Sequence, residues 1–314
     1  MQFPSLKSGF TAIDRFLMAP GDLRILNVIR VLFGIFLAIN LLEMWPDRHL
    51  FFGSQGYLPD DILGYFSAPT WRLSSFVPRS ELGVTSYFLI HFAALAALIL
   101  GIYPRCAALV VFVMFSGLVN SNLMIFDGED TMFRLFAFFM IFVPGPQAIR
   151  KAGLPGQPGA TPYPVWPLRL FQFQMCLMFF ACGLQKMKGE FWADGTAMYY
   201  VFRLYDFYRL HVPAFVTENM LILKVMTWGV IVFELAVPIL IWFRETRIPC
   251  LVLVICFHIA VELTMNLLMF HWIMITGWLC FATWNDGVRL LSLFRRTESS
   301  VLDSPVPQPD VSSA

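Results

Sequence analysis

Residues 82–102 read LGVTSYFLIHFAALAALILGI, a run without a single acidic or basic residue other than one histidine. A helix needs about 20 predominantly apolar residues to cross the hydrocarbon core of a bilayer. A soluble protein of this size would interrupt such a run with charge. The stretch therefore predicts a transmembrane helix.

The composition extends this prediction to the whole chain. Of 314 residues, 58% are hydrophobic and 14% are charged, whereas soluble domains carry about 25% charged residues. The net charge of +1 gives no reason to expect nucleic acid as a partner. The expected partner is the lipid bilayer. The six cysteines form no CxxC pair. We interpret them as small buried hydrophobes and predict no metal site.

Similar runs predict an all-α, polytopic integral membrane helix bundle with about eight transmembrane helices. The expected spans are residues 23–44, 82–102, 106–124, a short 130–143, 165–184, 220–243 and two within 248–284. This last stretch is too long for one span, and we divide it near Glu262 to Asn266. Leaving it undivided gives the alternative of seven spans.

Basic residues in the short loops indicate an orientation. Cytoplasmic loops are enriched in Lys and Arg, and Arg105, Arg150 and Lys151 lie inside if the N-terminus does. Lys186 and Lys188, on the outside, are the exception. We predict a bacterial-type inner-membrane protein with both termini cytoplasmic. The membrane domain would cover residues 23–285, between an N-terminal segment, 1–22, and a disordered tail, 286–314.

This orientation brings polar residues from four loops to the outer face, which we take as the active face. Asp127, Glu129 and Asp130 precede the fourth span. One interpretation is helix capping, with Asp130 accepting hydrogen bonds from backbone N–H groups. The other is substrate or cation binding, since three acids in four residues exceed what one cap needs.

Two lysines and an aromatic stretch follow the fifth span. Lys186 and Lys188 either extend to the membrane interface, or Lys186 is a desolvated amine that acts as a general base. Asp194 opens a pattern typical of a helix start, and Trp192 and Tyr199 belong to the aromatic stretch. The stretch predicts an interfacial helix, with a roof over a lipid-like substrate as the alternative.

A polar stripe marks the seventh span. His258, Glu262 and Asn266 are spaced i, i+4, i+8 and would share one helix face. Ionisable residues within the membrane indicate function by default, and hydrogen bonds between helices are the alternative. Glu234 is the deepest acid, and we expect Arg134 of the fourth span to be its partner.

Several short motifs occur in a characteristic order. They are Trp45-Pro46-Asp47, Gly56-Tyr57-Leu58-Pro59, Asp127-Gly128-Glu129-Asp130, Lys186-Met187-Lys188-Gly189 and the run from Phe257-His258 to Met269-Phe270. Together they resemble the horizontally transferred transmembrane (HTTM) domain family, which is related to the membrane domain of vitamin K-dependent gamma-carboxylase. The likeness extends from about residue 20 to 285.

The resemblance implies chemistry at the outer face. In the carboxylase, a lysine in a Gly-Val-Lys-Lys-Leu setting deprotonates reduced vitamin K. Gly183-Leu184-Gln185-Lys186-Met187 is similar, so Lys186 would be the base and a reduced quinone such as vitamin K the cofactor. The carboxylase has a histidine near the place of Asp130, and a large lumenal domain. The likeness therefore implies quinone oxidation more directly than glutamate carboxylation.

Our working hypothesis is a quinone-dependent enzyme, carboxylase-like or epoxidase-like, with a pocket open to the outer face. The candidate catalytic residues are Lys186, Asp130, His258 and Glu262. The candidate substrate-binding residues are Asp127, Glu129, Lys188, Trp192, Asp194, Tyr199 and Asn266. Two alternatives stay open: a non-catalytic membrane partner in the maturation, export or immunity of a peptide, and a lipid or ion transporter with His258, Glu262 and Glu234 as relay residues.

Overall fold

The computed structural model describes residues 6–58, 62, 71–122 and 124–286. These residues form helices, and their β pairing is limited to the isolated bridges Pro20–Pro164 and Tyr208–Met265. The predicted all-α bundle is confirmed. Pro59 of one sequence motif, the first residues of the N-terminal segment and nearly all of the predicted tail lie outside the described residues.

Eight helices make up the body of the bundle. They are α1 (Arg24–Met44), α2 (Glu81–Leu100), α3 (Pro104–Ser121), α4 (Gly128–Met140), α5 (Trp166–Lys186), α6 (Met220–Leu240), α7 (Arg244–Thr264) and α8 (Phe270–Trp278). Six of them, all but α4 and α8, are long and apolar enough to cross a membrane. Each of these six helices corresponds to a predicted span, and its bounds differ from the predicted ones by a few residues.

Local sequence explains where these helices begin and end. Ser80 caps α2 by accepting a hydrogen bond from the Gly83 backbone N–H, and Gly101 ends it in the left-handed conformation at φ 73°. Pro104 then opens α3, where its missing N–H is not needed. Asn219 caps α6 through two backbone N–H groups.

The fourth and eighth predicted spans are short helices. α4 has 13 residues and rises about 20 Å, which is less than the roughly 30 Å of a hydrocarbon core. α8 continues through a 3-10 turn to Phe281. Phe133 and Phe136 of α4 and Trp278 of α8 are fully buried, so both helices fill the interior of the bundle.

The long apolar stretch near the C-terminal end is broken where the sequence predicted. α7 ends at Thr264 and α8 begins at Phe270. The stretch therefore forms two separate helices, of which α7 alone is long enough to cross a membrane. Leu268, between the two helices, has a positive φ of 48°, which a continuous α-helix does not allow.

α5 and α6 pack antiparallel with a large stagger. Gly183, near the end of α5, faces Glu234 and Leu235 of α6, and at the other end Phe173 stacks on Trp242 at 5.6 Å between ring centroids. Glu234 lies roughly 20 Å along α6 from its first residue. The last turn of α5 therefore ends beside the second half of α6.

Two segments differ from the sequence-based expectation. Residues 6–18, expected only as a mixed N-terminal segment, form a helix, and Phe16 packs on Phe173 and Trp242 at 5.9 and 5.8 Å between ring centroids. The expected single interfacial helix after α5 is wrong, because the structure has the short helices Glu190–Ala193 and Ala197–Val201 and a 3-10 turn at Tyr205–Phe207.

The helix start predicted from Asp194-Gly195-Thr196 follows at Ala197, with Thr196 as the N-cap, and Asp194 itself ends the preceding short helix. The Asp194 carboxylate accepts hydrogen bonds from the Thr196 hydroxyl and backbone N–H at 2.6 and 2.8 Å, and these bonds lower the pKa of Asp194. Gly195 adopts the left-handed conformation at φ 83°. This turn separates the two short helices and redirects the chain across α6.

Candidate functional site

A large apolar cavity lies between α5, α6, α7 and α8. Its volume is about 880 Å³, which is within the usual range for small-molecule sites. Phe179, Phe233, Phe257, Phe270 and Met274 supply much of its wall, and Trp192, Met198 and Phe202 of the segment after α5 close one end. Four polar side chains stand out in this wall: Lys186, Glu234, His258 and His271.

Lys186 and Glu234 form an ion pair at the cavity wall. The Lys186 ammonium donates to both carboxylate oxygens of Glu234 at 2.7 and 2.8 Å. The exposed fractions of the two side chains are 24% and 8%, so the pair is largely removed from solvent. Trp192 lies over the ammonium at 5.2 Å from its ring centroid. A ligand in the cavity would meet a carboxylate and an ammonium side by side.

The partner of Glu234 is therefore Lys186, and the expected pairing with Arg134 is wrong. Arg134 lies on the other side of the bundle, beside a separate groove with Trp71, Phe112 and Asn120. The stagger of α5 against α6 explains why Lys186 rather than Arg134 is the partner, because it places the last residue of α5 beside Glu234.

His258 and His271 form the second polar feature of the wall. Their Nδ1 atoms are 3.0 Å apart, and both side chains are buried. At this distance one ring donates its Nδ1–H and the other accepts with a lone pair. The Nε2 atom of the donor ring is then an acceptor and that of the acceptor ring is a donor. Neither Nε2 has a hydrogen-bond partner within the described part of the chain.

The loop that contains Phe207 and Arg209 packs against the end of α7 through polar contacts. Arg209 pairs with Glu262 at 2.8 Å and donates to the side-chain oxygen of Asn266 at 2.7 Å. The Asn266 backbone N–H donates to the Phe207 carbonyl at 2.7 Å. These contacts hold the loop against the turn between α7 and α8, where Met265 and Leu267 line the cavity.

The cavity is open along the flank of the bundle. Gly229 of α6 and Leu253, Cys256 and Ala260 of α7 line it and are all exposed. In a bilayer this flank faces lipid, because both helices are apolar and long enough to span it. A hydrophobic molecule could therefore enter between α6 and α7.

A family model for the HTTM domain matches residues 18–285. The chain belongs to the HTTM domain family. The match covers most of the chain and includes all four polar residues of the cavity wall, so the cavity is part of the HTTM domain itself. No solved structure matches the chain with statistical significance.

An acidic cluster in this HTTM protein lies apart from the cavity. One oxygen atom from each of Asp127, Glu129 and Asp130 lies within 4.8 Å of the others. Asp127 is the N-cap of α4, accepting from the Glu129 backbone N–H at 2.7 Å, and Asp130 accepts from the Asp127 backbone N–H at 3.0 Å. The expectation that Asp130 accepts a backbone N–H bond at the start of this helix is therefore confirmed, with Asp127 as the N-cap and Asp130 closing a capping box as the third helical residue.

The sequence-predicted residues fall into four groups in the HTTM fold. Lys186, Trp192 and His258 line the cavity. Glu262 and Asn266 bind Arg209 beside its end, and Asn266 lies beyond the last residue of α7 rather than on its polar face. Asp127, Glu129 and Asp130 form the acidic cluster. Lys188, Asp194 and Tyr199 are not among the cavity-lining residues.

Four participating residues were not among the candidate catalytic or substrate-binding residues. Glu234 was expected only as the partner of Arg134 and as a relay residue of the transporter alternative. His271, Arg209 and Asn40, whose Nδ2 donates to Glu129 Oε1 at 3.1 Å, had not been singled out. His271 directly follows the Met269-Phe270 motif. If a new helix begins after Asn266 and runs antiparallel to the seventh span, His271 lies near His258. Asn40 and Arg209 carry no comparable signal, because their contacts depend on packing between distant segments.

Proposed function

We propose that this HTTM protein binds a lipid-soluble molecule with an acidic hydroxyl group, such as a reduced quinone, in the cavity between α5 and α8, and removes its proton at the Lys186–Glu234 pair. The observation that carries the proposal is this pair in the wall of a largely apolar cavity of about 880 Å³. Ionisable groups in a membrane bundle are costly and indicate function.

The geometry suggests how the pair divides the work. A lysine that donates to both oxygens of a carboxylate is held as an ammonium, so the Glu234 carboxylate is the group that can accept a proton. The substrate O–H bond breaks, its proton goes to a Glu234 oxygen, and the electron pair stays on the substrate oxygen. The Lys186 ammonium beside it then stabilises the oxyanion. Lys186 thus acts with Glu234 rather than as a lone base.

Aromatic and histidine side chains fit the rest of such a ligand. Phe179 and Phe233, with ring centroids 5.7 Å apart, offer apolar surfaces for a flat ring. His258 and His271 lie in the same wall and could contact a second oxygen after a small rotation. The deprotonated hydroquinone would then react with O2 to give the quinone epoxide and water. This oxygen addition, like carboxylation, stays a proposal that depends on the family resemblance.

The test combines binding with turnover in nanodiscs. Purified protein is incubated with reduced menaquinone or reduced vitamin K under oxygen, bound quinone is measured by native mass spectrometry, and quinone epoxide is followed by chromatography. We expect quinone binding and epoxide from the wild type. Lys186→Met and Glu234→Gln should reduce turnover at least a hundredfold, the usual contribution of a positioned acid or base.

Lys188→Met is the control, because Lys188 is exposed and outside the cavity wall. It should keep full activity. Absence of quinone binding by folded wild type would overturn the proposal and favour the non-catalytic peptide partner. Binding without any change in Lys186→Met or Glu234→Gln would contradict the assigned roles of these two residues.

A further inference from the structure

The acidic cluster at the start of α4 is joined by an amide from another helix. The side chain of Asn40, near the end of α1, is 2% exposed, and its Nδ2 donates to Glu129 Oε1 at 3.1 Å. Glu129 and Asp130 are 2% and 3% exposed. Two helices distant in sequence therefore bring two buried carboxylates and one buried amide together, with the exposed carboxylate of Asp127 beside them.

Asn40, Glu129 and Asp130 each keep one side-chain oxygen out of their hydrogen bonds. The atoms engaged in hydrogen bonds are Asp127 Oδ1, Asp130 Oδ2, Glu129 Oε1 and Asn40 Nδ2. Asn40 Oδ1, Glu129 Oε2 and Asp130 Oδ1 are buried and have no hydrogen-bond partner within the described residues. The bonded atoms fix the side chains, and the remaining oxygens stay available for a ligand.

The charge of the cluster is not balanced by the neighbouring protein. Its three acids form no ion pair with a lysine or arginine of the described segments. The N-terminus of α4 supplies the equivalent of about half a positive charge, against as many as three negative charges. A buried carboxylate needs a counter-charge or a proton.

We propose that Asp127, Glu129, Asp130 and Asn40 form a binding site for a divalent cation of calcium size. Calcium prefers carboxylate and amide oxygens at about 2.3–2.6 Å, so two oxygens on one ion lie at most about 5 Å apart. One oxygen from each of the three carboxylates lies within 4.8 Å of the others, which meets this limit. Magnesium, with bonds of about 2.0–2.1 Å, allows only about 4.2 Å.

The cation would fasten the end of α1 to the start of α4. Gly128 lies against Phe270, with 3.8 Å between the ring and the position of a Cβ atom, so the ion would also support the start of α8 and the cavity wall there. The site is independent of the proposed quinone chemistry, since none of its ligands lines the cavity.

The experiment measures calcium binding directly. Full-length protein in nanodiscs is stripped of divalent ions at pH 7.5 and titrated with CaCl2 by calorimetry. We expect one saturable site per chain, a thermal unfolding midpoint that rises with calcium, and weaker effects of MgCl2. Glu129→Gln and Asp130→Asn, which keep the hydrogen-bonding shape of each side chain, should raise the Kd at least tenfold.

Glu190→Gln is the control, because Glu190 is an exposed acid at the same end of the bundle, and its Kd should equal that of the wild type. If either cluster variant fails to fold, the calcium-dependent midpoint of the wild type still tests the site. No saturable binding by folded wild type, or the same Kd in both cluster variants, would overturn the proposal. The first result would show that protons neutralise the acids instead.

Discussion

Lys186 shows how the surroundings of one residue change its chemistry. The sequence presents it as a lysine at the end of an apolar helix, either extended to the interface or acting alone as a base. In the fold its ammonium is bonded to both oxygens of Glu234. A carboxylate in an apolar wall needs this counter-charge, so each residue depends on the other for its burial.

Removing one member of the pair should cost more stability than removing both. Lys186→Met leaves the Glu234 carboxylate without its partner, and we expect a loss on the order of 3 kcal/mol. The double variant Lys186→Met/Glu234→Met should recover most of this loss. Chemical unfolding of the two single variants and the double variant in detergent provides the double-mutant cycle. Additive losses would show that the pair contributes no coupling.

Some of the candidate residues were predictable and others were not. Lys186 and His258 stand out as ionisable residues in apolar helices, and the acids from Asp127 to Asp130 stand out by their density. Their partners Glu234, His271 and Asn40 are chosen by the stagger and contact of helices. One sequence without a structure does not fix that stagger, which is why Arg134 was expected beside Glu234.

At the scale of helices, Gly183 is the position that permits the stagger of α5 on α6. A Cβ atom there would lie 2.9 Å from Leu235 Cδ2 and 3.3 Å from Glu234 Cβ, so larger side chains would separate the helices just where the ion pair forms. Gly229 of α6, by contrast, has open space around the position of its Cβ.

Valine at these two glycines should therefore act differently. Both substitutions carry the same intrinsic helix propensity, so their difference reports packing. We expect Gly183→Val to lower the thermal unfolding midpoint by several degrees, since inserting methyl groups into a packed contact costs about 1–3 kcal/mol, and to reduce quinone binding. Gly229→Val should stay close to wild type in stability. Equal midpoints would mean that the α5–α6 contact adapts freely.

Helix positions were largely predictable because apolar runs, proline and glycine mark them. The predicted first span, 23–44, differs by one residue from α1, and the break between α7 and α8 falls within the predicted stretch. The structure of the aromatic stretch after α5 was not predictable in this way, because its aromatic content suggested one interfacial helix. Gly195 and the Asp194–Thr196 hydrogen bonds interrupt it instead.

For the whole molecule, the orientation in the membrane stays a prediction from basic residues. It places the segment after α5 outside and the Pro- and Gly-rich segment before α5 inside. Cysteine labelling would report this orientation. The native cysteines are replaced by serine, and single cysteines are introduced at positions 190 and 158, both of which are exposed. We expect an impermeant maleimide to label Glu190→Cys in intact cells and Pro158→Cys only after permeabilisation. The opposite pattern would reverse the orientation.

The opening between α6 and α7 has a consequence for how any ligand is supplied. Gly229, Leu253, Cys256 and Ala260 leave the cavity facing the acyl chains, so a ligand arrives by two-dimensional diffusion within a leaflet. Occupancy would then follow the mole fraction of the ligand among the lipids rather than its concentration in water. A molecule that partitions strongly into the bilayer could fill the cavity even if its intrinsic affinity were modest.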